Sequence, residues 1–228
     1  MEKITIAIDG FSSTGKSTLA KELAQTLGYA YVDTGAMYRA ITLFAMQNNW
    51  VSDMHIENIQ IINNINKVKL HFQFNEKLGF AEMYLNDVNV ENEIRTLEVS
   101  RCVSKVAEIS EVRAKLVEQQ QQMGQYKAVV MDGRDIGTVV FPDAELKLFM
   151  TASAETRAQR RFQELIEKGQ HVTFEEVLEN VQQRDYIDTH REDSPLVKAE
   201  NAIEIDNSSM SKVEQFELVM AMIKEMVV

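Results

Sequence analysis

Five short apolar runs, at residues 4–8, 29–32, 128–131, 146–150 and 202–205, are separated by stretches in which apolar residues recur every three or four positions. The first pattern predicts buried strands and the second predicts amphipathic helices. Leu19, Leu23, Ala24 and Leu27 predict a helix over 16–27 that stops at Gly28. Met37, Ala40, Ile41, Phe44 and Ala45 predict another, capped by Thr34 and running to about residue 47. Strand, helix and strand in that order make a βαβ unit, and such units build parallel sheets. Downstream, Val99, Val103, Val106, Ile109, Val112, Leu116 and Val117 predict two helices between 93 and 122, broken near Ser110, with the glutamines at 119–122 as a solvated end. A helix from 153 or 154, a second from 173 to 189, and a closing helix on Val213, Phe216, Val219, Met222, Ile223 and Met226 complete the series. The fold class is α/β: a three-layer α/β/α arrangement with a parallel five-stranded core sheet, as a single domain over 1–228.

Residues from about 52 to 92 break this rhythm. A helical piece on Ile56, Ile59, Ile62 and Ile65 gives way to alternation, first on Val68, Leu70, Phe72 and Phe74 and then on Phe80, Met83, Leu85, Val88 and Val90. Short turns at 75–79 and at Asn86-Asp87 make this a small antiparallel β insert between core elements.

Charge and composition narrow the function. A formal net charge of -11 and an isoelectric point near 4.9 argue against general binding to nucleic acid or anionic membrane, because phosphate backbones require a basic face. No apolar run approaches membrane-spanning length. The single cysteine, Cys102, cannot form an internal disulfide and reads as a buried filler, and the chain enters its first strand without a basic and apolar leader; the expectation is a cytoplasmic monomer.

The stretch GFSSTGKST directly after the first strand carries the chemistry. Gly10, Phe11, Ser12, Ser13, Thr14, Gly15, Lys16, Ser17 and Thr18 fit the phosphate-loop pattern, GxxxxGK followed by Ser or Thr, between a strand and a helix. The glycines allow a concave turn whose N–H groups converge, and the helix N-terminus adds its positive dipole end. Lys16 then reaches the β- and γ-phosphates of ATP, and the Ser17 hydroxyl is a ligand for Mg²⁺. Asp132, at the end of the 128–131 strand, is placed to hold the same Mg²⁺ through water, or else is a turn-forming Asp before Gly133.

The ten arginines point to the second half of a site. Arg157, Arg160 and Arg161 share one helix face, which suits the helical lid of a phosphoryl-transfer site over about 153–192; ion pairs with Glu155 and Glu164 are the plainer alternative. Arg184, Asp188 and Arg191 fall on one side of the next helix. Arg134 and Asp135 offer a cation for a phosphate and a carboxylate for an amine or sugar hydroxyl. His55, His71, His171 and His190 lack zinc-ligand spacing.

Taken together, IAIDGFSSTGKSTLAKELA, DTGAMYRA, ENEIRTLEVSRCVSKVA, VVMDGRDIGTVVFPDAELKLFM, ASAETRAQRRFQEL and QRDYIDTHREDSPL resemble the bacterial cytidylate kinases over nearly the whole chain. The resemblance implies transfer of the γ-phosphoryl group of ATP to CMP or dCMP, giving ADP and CDP or dCDP, with Mg²⁺, in pyrimidine nucleotide metabolism. It assigns CMP contacts to Thr34, Arg39, Ser104, Arg113, Arg134, Asp135, Arg184 and Asp188. Among these, Asp135 and Ser104 resemble the pair that reads the cytosine amine, and Asp188 the residue on the sugar hydroxyls. Lys16, Arg134, Arg157, Arg160, Arg161 and Arg191 resemble the cations around the transferring group. The insert is similar to the enlarged monophosphate-binding insert of the long bacterial form. Phe11 stands where the family often has proline, and Thr34 where serine is common.

Two other readings remain at this stage. One is a related phosphate-loop kinase with UMP, shikimate or dephospho-coenzyme A as acceptor. The other is a nucleotide-dependent switch protein, against which Arg134, Asp135, Arg184 and Asp188 speak by supplying an acceptor pocket that a switch does not need.

Overall fold

In the computed structural model, residues 3–52 and 55–226 are described; positions 53–54 of the predicted insert, and 1–2 and 227–228 of the predicted domain, lie outside the described residues. β1 (Thr5–Gly10) leads through the phosphate loop into α1 (Lys16–Leu27), which ends on Gly28 in the left-handed conformation that glycine adopts without strain. β2 (Ala30–Asp33) and α2 (Thr34–Gln47) follow. The cap of α2 is Asp33, whose Oδ1 accepts from the Ala36 amide at 2.9 Å. The predicted cap, Thr34, is instead the first helical residue, and its hydroxyl donates to the Asp132 carbonyl at 2.8 Å.

The insert begins with a two-rung hairpin that the alternation does not predict, β3 (Val51–Ser52) against β4 (His55–Ile56). α3 (Asn58–Asn64) turns inward on Ile61 and Ile65, while Ile59 is 73% exposed, so the predicted stripe is rotated by part of a turn. β5 (Leu70–Asn75), β6 (Phe80–Leu85) and β7 (Val88–Asn89) form the predicted antiparallel meander. Asn86 and Asp87 both have positive φ, as a two-residue hairpin turn requires. Met83 and Leu85 enter a core shared with α2 and with α4 (Leu97–Val106) and α5 (Ser110–Gly124), so the insert is packed onto the helices rather than standing apart. The glutamine run is not wholly solvated: Gln120 is buried against that side of α5.

β8 (Val129–Gly133) and β9 (Leu146–Thr151) flank β1, and β10 (Ile203–Asp206) completes a five-stranded parallel sheet in the order β10-β9-β1-β8-β2. Ile6 and Ile8 face α1 and the closing helix α8 (Lys212–Met226), whereas Ala7 points to the opposite layer with Val129, Met131 and Ile136. α8 buries Val219 and Ile223 of its predicted stripe; its ends overhang the sheet, leaving Val213 64% exposed. α6 (Ala154–Glu167) and α7 (Phe174–His190) pair through Ala158, Leu165, Val177 and Val181 and lean on α4. Thr173 starts α7 with a reciprocal capping box to Glu176. Among the described residues no helix is long and apolar enough to cross a membrane.

The register sets the site. Gly10 lies beside Met150, Asp9 beside Gly133, and Asp33 beside Asp132, so the loops after β1, β2, β8 and β9 all leave one edge of the sheet. Ligands of open parallel sheets bind along that edge.

Candidate active site

The phosphate loop is held by its carbonyls. Thr14 Oγ1 and Lys16 Nζ donate to the Phe11 carbonyl at 3.0 and 2.5 Å, Arg157 Nη1 donates to that of Ser12 at 3.3 Å, and Asn207 Nδ2 donates to that of Thr14 at 2.6 Å. Carbonyls engaged on one side leave the amides for the other, which is the arrangement of an anion nest. Gly10 cannot be replaced here, because a Cβ would stand 2.0 Å from the Met150 carbonyl oxygen. Gly15, with φ 91, precedes α1, whose N-terminus receives no side-chain cap, which suits it to an anion.

A cleft of about 450 Å³ opens in front of this loop. It brings together the predicted Ser12, Ser13, Gly15, Lys16, Ser17, Thr18, Arg39, Asp132, Arg134, Arg161 and Arg184. Burial pushes Lys16 down to about 7, with Arg134 adding to the fall and Asp132 and Asp9 opposing it. Burial likewise holds Arg39 well below its ordinary value, as Arg184, Arg161 and Arg95 repel it, and brings Arg184 down to about 10 next to Arg134. Cations crowded together out of water in an acidic chain are stabilised by a polyanion between them.

Ser17 Oγ donates to Asp132 Oδ2 at 3.0 Å, and the Tyr31 hydroxyl donates to Oδ1 at 2.8 Å. Burial, with help from Asp33, pushes the Asp132 carboxyl up to about 6, and Lys16 restrains it. A hydroxyl and a carboxylate oxygen in contact form a hard donor pair that fits Mg²⁺, an ion that takes one or two protein oxygens and keeps water and phosphate for the rest. Among the described residues no three His, Cys, Asp or Glu side chains converge into an all-protein metal cage.

A second, smaller pocket lies behind Gly133 and Arg134. It collects the predicted Thr34, Ser104, Arg113, Arg134, Asp135, Arg184, Asp188 and Arg191, together with Tyr38, Val103 and Ala107. Arg113 and Asp135 form a buried ion pair at its floor. Asp188 Oδ2 accepts from Arg134 Nε at 2.8 Å, and its Oδ1 accepts from Ser104 Oγ at 2.9 Å. Although burial alone would raise it, Arg134, Arg184 and Arg191 hold the Asp188 carboxyl below the usual carboxylate range. Arg184 donates to Ser100 Oγ at 3.2 Å, and Arg191 donates to the Ser194 carbonyl at 2.7 Å. Arg134 and Arg184 line both cavities.

The arginines of α6 are divided. Arg161 lines the cleft, pairing with Glu164 at 2.7 Å and donating to the Arg95 carbonyl at 2.6 Å. Arg157 and Arg160 line neither cavity and grip the outer side of the loop. The Arg157 guanidinium lies 5.1 Å from the Phe11 ring and pairs with both oxygens of Asp185, at 2.9 and 2.6 Å. Arg160 donates to the side chain and the carbonyl of Asn207. Of the two expected ion pairs only Glu164 is engaged, and by Arg161. His55 and His190 sit on the surface, beside Glu57 and stacked on Tyr186 respectively.

Sequence reading did not single out Asp9, Tyr31, Asp33, Tyr38, Arg95, Asp185 or Asn207. Asp33 Oδ2 accepts from Arg95 Nη2 at 2.7 Å, tying β2 to the end of the insert. Each of these roles depends on a partner from a distant segment. The acidic residues at or next to the ends of four strands, Asp9, Asp33, Asp132 and Asp206, were the one signal in the sequence that could have flagged Asp9 and Asp33.

Comparison with known proteins agrees with this geometry. A family model described as cytidylate kinase matches residues 6–225. A cytidylate kinase of Flavobacterium psychrophilum is 67% identical over 98% of this chain and 99% of its own length. Another, from Bacteroides fragilis, is 56% identical over 97% of this chain and 96% of its own. Among solved structures, an uncharacterized protein from Eubacterium ventriosum superimposes with a TM-score of 0.51 at 10% identity, covering 98% of this chain and 99% of that one, which speaks for the fold alone. With a cationic cleft at the phosphate loop and an arginine-rich pocket beside it on one sheet edge, and with a family match spanning both, the chain belongs to the cytidylate kinase family.

Proposed function

We propose that the chain transfers the γ-phosphoryl group of ATP to CMP or dCMP, yielding ADP and CDP or dCDP. The observation that carries this reading is the pair of cavities sharing Arg134 and Arg184: the cationic cleft offers partners for a triphosphate, and the pocket floored by Arg113 and Asp135 offers partners for a small nucleotide.

The division of labour follows from the positions. The loop amides and Lys16 bind the triphosphate, with Gly10 to Thr18 as the ATP loop. Arg39, Arg161 and Arg184 line the cleft and supply positive charge where negative charge spreads during transfer, and Arg184 also lines the second pocket. Arg134 lines both cavities as well. Thr34, Ser104, Arg113, Asp135, Asp188 and Arg191 hold the acceptor nucleotide, the Asp135 carboxylate accepting from an exocyclic amine and Asp188 from sugar hydroxyls. Arg157 and Arg160 keep the loop in shape from outside and join the cleft only by movement of α6. Ser17 and Asp132 would hold Mg²⁺, which supplies charge neutralisation on the phosphates when bound. We place the enzyme in the cytoplasm as a monomer without nucleic-acid or membrane partners, supported by its acidic charge and single cysteine.

A steady-state assay with Mg·ATP and CMP, dCMP, UMP or AMP tests the reading. The expected result is kcat/KM highest for CMP or dCMP, and equal or better turnover of UMP or AMP would overturn it.

A further inference from the structure

Asp9 is the penultimate residue of β1, directly before Gly10 of the phosphate loop, and with only 4% of its surface exposed it lies among the most enclosed acidic residues described. Its carboxylate is held by backbone amides: Oδ1 accepts from the Ile136 amide at 2.8 Å and Oδ2 from the Gly137 amide at 2.7 Å. Those amides open the π-helical turn Ile136–Val140 directly after Asp135, and the Asp135 carbonyl is fixed in turn by the amides of Val139 at 2.9 Å and Val140 at 3.2 Å. The contact bridges 127 positions of sequence and rests on the sheet register that sets Asp9 beside Gly133. A carboxylate bound by two amides fixes their direction in a way that one hydrogen bond cannot. The turn packs closely on this side: a Cβ on Gly137 would stand 3.2 Å from the Lys147 side chain and 3.4 Å from Asp9 Oδ2.

We propose that Asp9 is a positioning residue for the acceptor: by clamping the turn after Asp135 to the strand that carries the phosphate loop, it sets the Asp135 carboxylate at its place in the acceptor pocket and ties acceptor recognition to the donor site. The inference rests on the proposed CMP-kinase reading. Asp9 touches neither cavity, and its effect passes through Asp135.

The test is Asp9→Asn in the full chain. The amide keeps the size of the carboxylate but offers one acceptor, so its NH₂ confronts one of the two backbone N–H groups. Expected are a KM for CMP raised about tenfold and a CMP-over-UMP preference reduced by a similar factor, the scale of one buried charge-assisted hydrogen bond. Binding of a fluorescent ATP analogue should stay within about twofold, because the loop carbonyls remain pinned by Thr14, Lys16, Arg157 and Asn207. Unchanged CMP kinetics, or a parallel loss of ATP-analogue and CMP binding as expected of a merely structural residue, would overturn the inference. Should Asp9→Asn fail to fold, amide hydrogen exchange of the native chain without nucleotide decides the matter. Protection of Ile136 and Gly137 comparable to that of the β8 amides supports the clamp, and exchange at open-loop rates overturns it. A native chain that does not prefer CMP would sink the kinase reading and this inference together, whereas a preference kept in Asp9→Asn sinks the inference alone.

Discussion

Arg134 donates its Nε to Asp188 at 2.8 Å, joining the loop after β8 to helix α7 across 54 positions of sequence. The pair is largely buried, and Asp188 also faces Arg184 and Arg191, so one carboxylate balances several guanidinium groups. Asp188→Ala leaves those cations without their counter-charge, which costs on the order of 3 kcal/mol in stability, together with a large fall in kcat/KM for CMP. Urea unfolding and steady-state kinetics check both. The sign with pH follows from the depressed carboxyl: its stabilisation is complete above the ordinary carboxylate range and is lost as pH falls toward its lower folded value. The stability gap between the native chain and Asp188→Asn should therefore narrow only in strong acid.

Lys16 is expected to gain a proton when polyphosphate binds. Burial and Arg134 lower it toward neutral pH in the free protein, while phosphate oxygens favour the charged form. Titration calorimetry with inorganic tripolyphosphate at pH 8, in buffers of different ionisation enthalpy, should report an uptake approaching one proton. Lys16→Met should abolish that uptake along with phosphoryl transfer. Buffer-independent heats in the native chain would count against the assignment.

Asp135→Asn separates recognition from stability better than Asp135→Ala, because alanine would leave Arg113 buried and unpaired. The asparagine presents an NH₂ as readily as a carbonyl to the acceptor base. The expected outcome is a CMP-over-UMP preference reduced at least tenfold with ATP binding intact. CMP turnover equal to that of the native chain would refute the role of this carboxylate.

The structure gives Phe11 of the phosphate loop two partners: its ring lies edge-on to Phe149 at 6.1 Å and under the Arg157 guanidinium. A cation–π contact of this kind contributes about 0.5–2 kcal/mol, so Phe11→Leu should lower kcat by roughly two- to thirtyfold and Phe11→Tyr much less. In a double-mutant cycle with Arg157→Lys the two losses should not add. Additive losses would show that Phe11 acts by packing alone.

The helices and core strands were legible because their signals are local. Leu19, Leu23 and Ala24 fall on one side of α1 whatever the rest of the chain does, and Gly28 stops the helix by its own backbone freedom. The insert was less legible, since its apolar residues are divided between two faces: Met83 is buried, while Phe74 on the same strand pair is 63% exposed. Thr34 as a cap failed for a related reason. Two adjacent residues, Asp33 and Thr34, could each cap α2, and the Asp132 carbonyl on the neighbouring strand takes the threonine hydroxyl.

By itself the sequence determined the phosphate-loop motif and the order of strands and helices, since the loop pattern and the apolar periodicity are local signals. Tertiary structure alone decided how the charged and polar groups pair. The order β10-β9-β1-β8-β2 brings Asp9 to Ile136 and Gly137, Ser17 to Asp132 over 115 positions, and Asp188 to Arg134. It also sends Arg157 and Arg160 to the outside of the loop while Arg161, one residue further on, enters the cleft. A buried charge is governed by whichever strand or helix lies against it, and that neighbour is chosen by sheet register and packing rather than by distance along the chain.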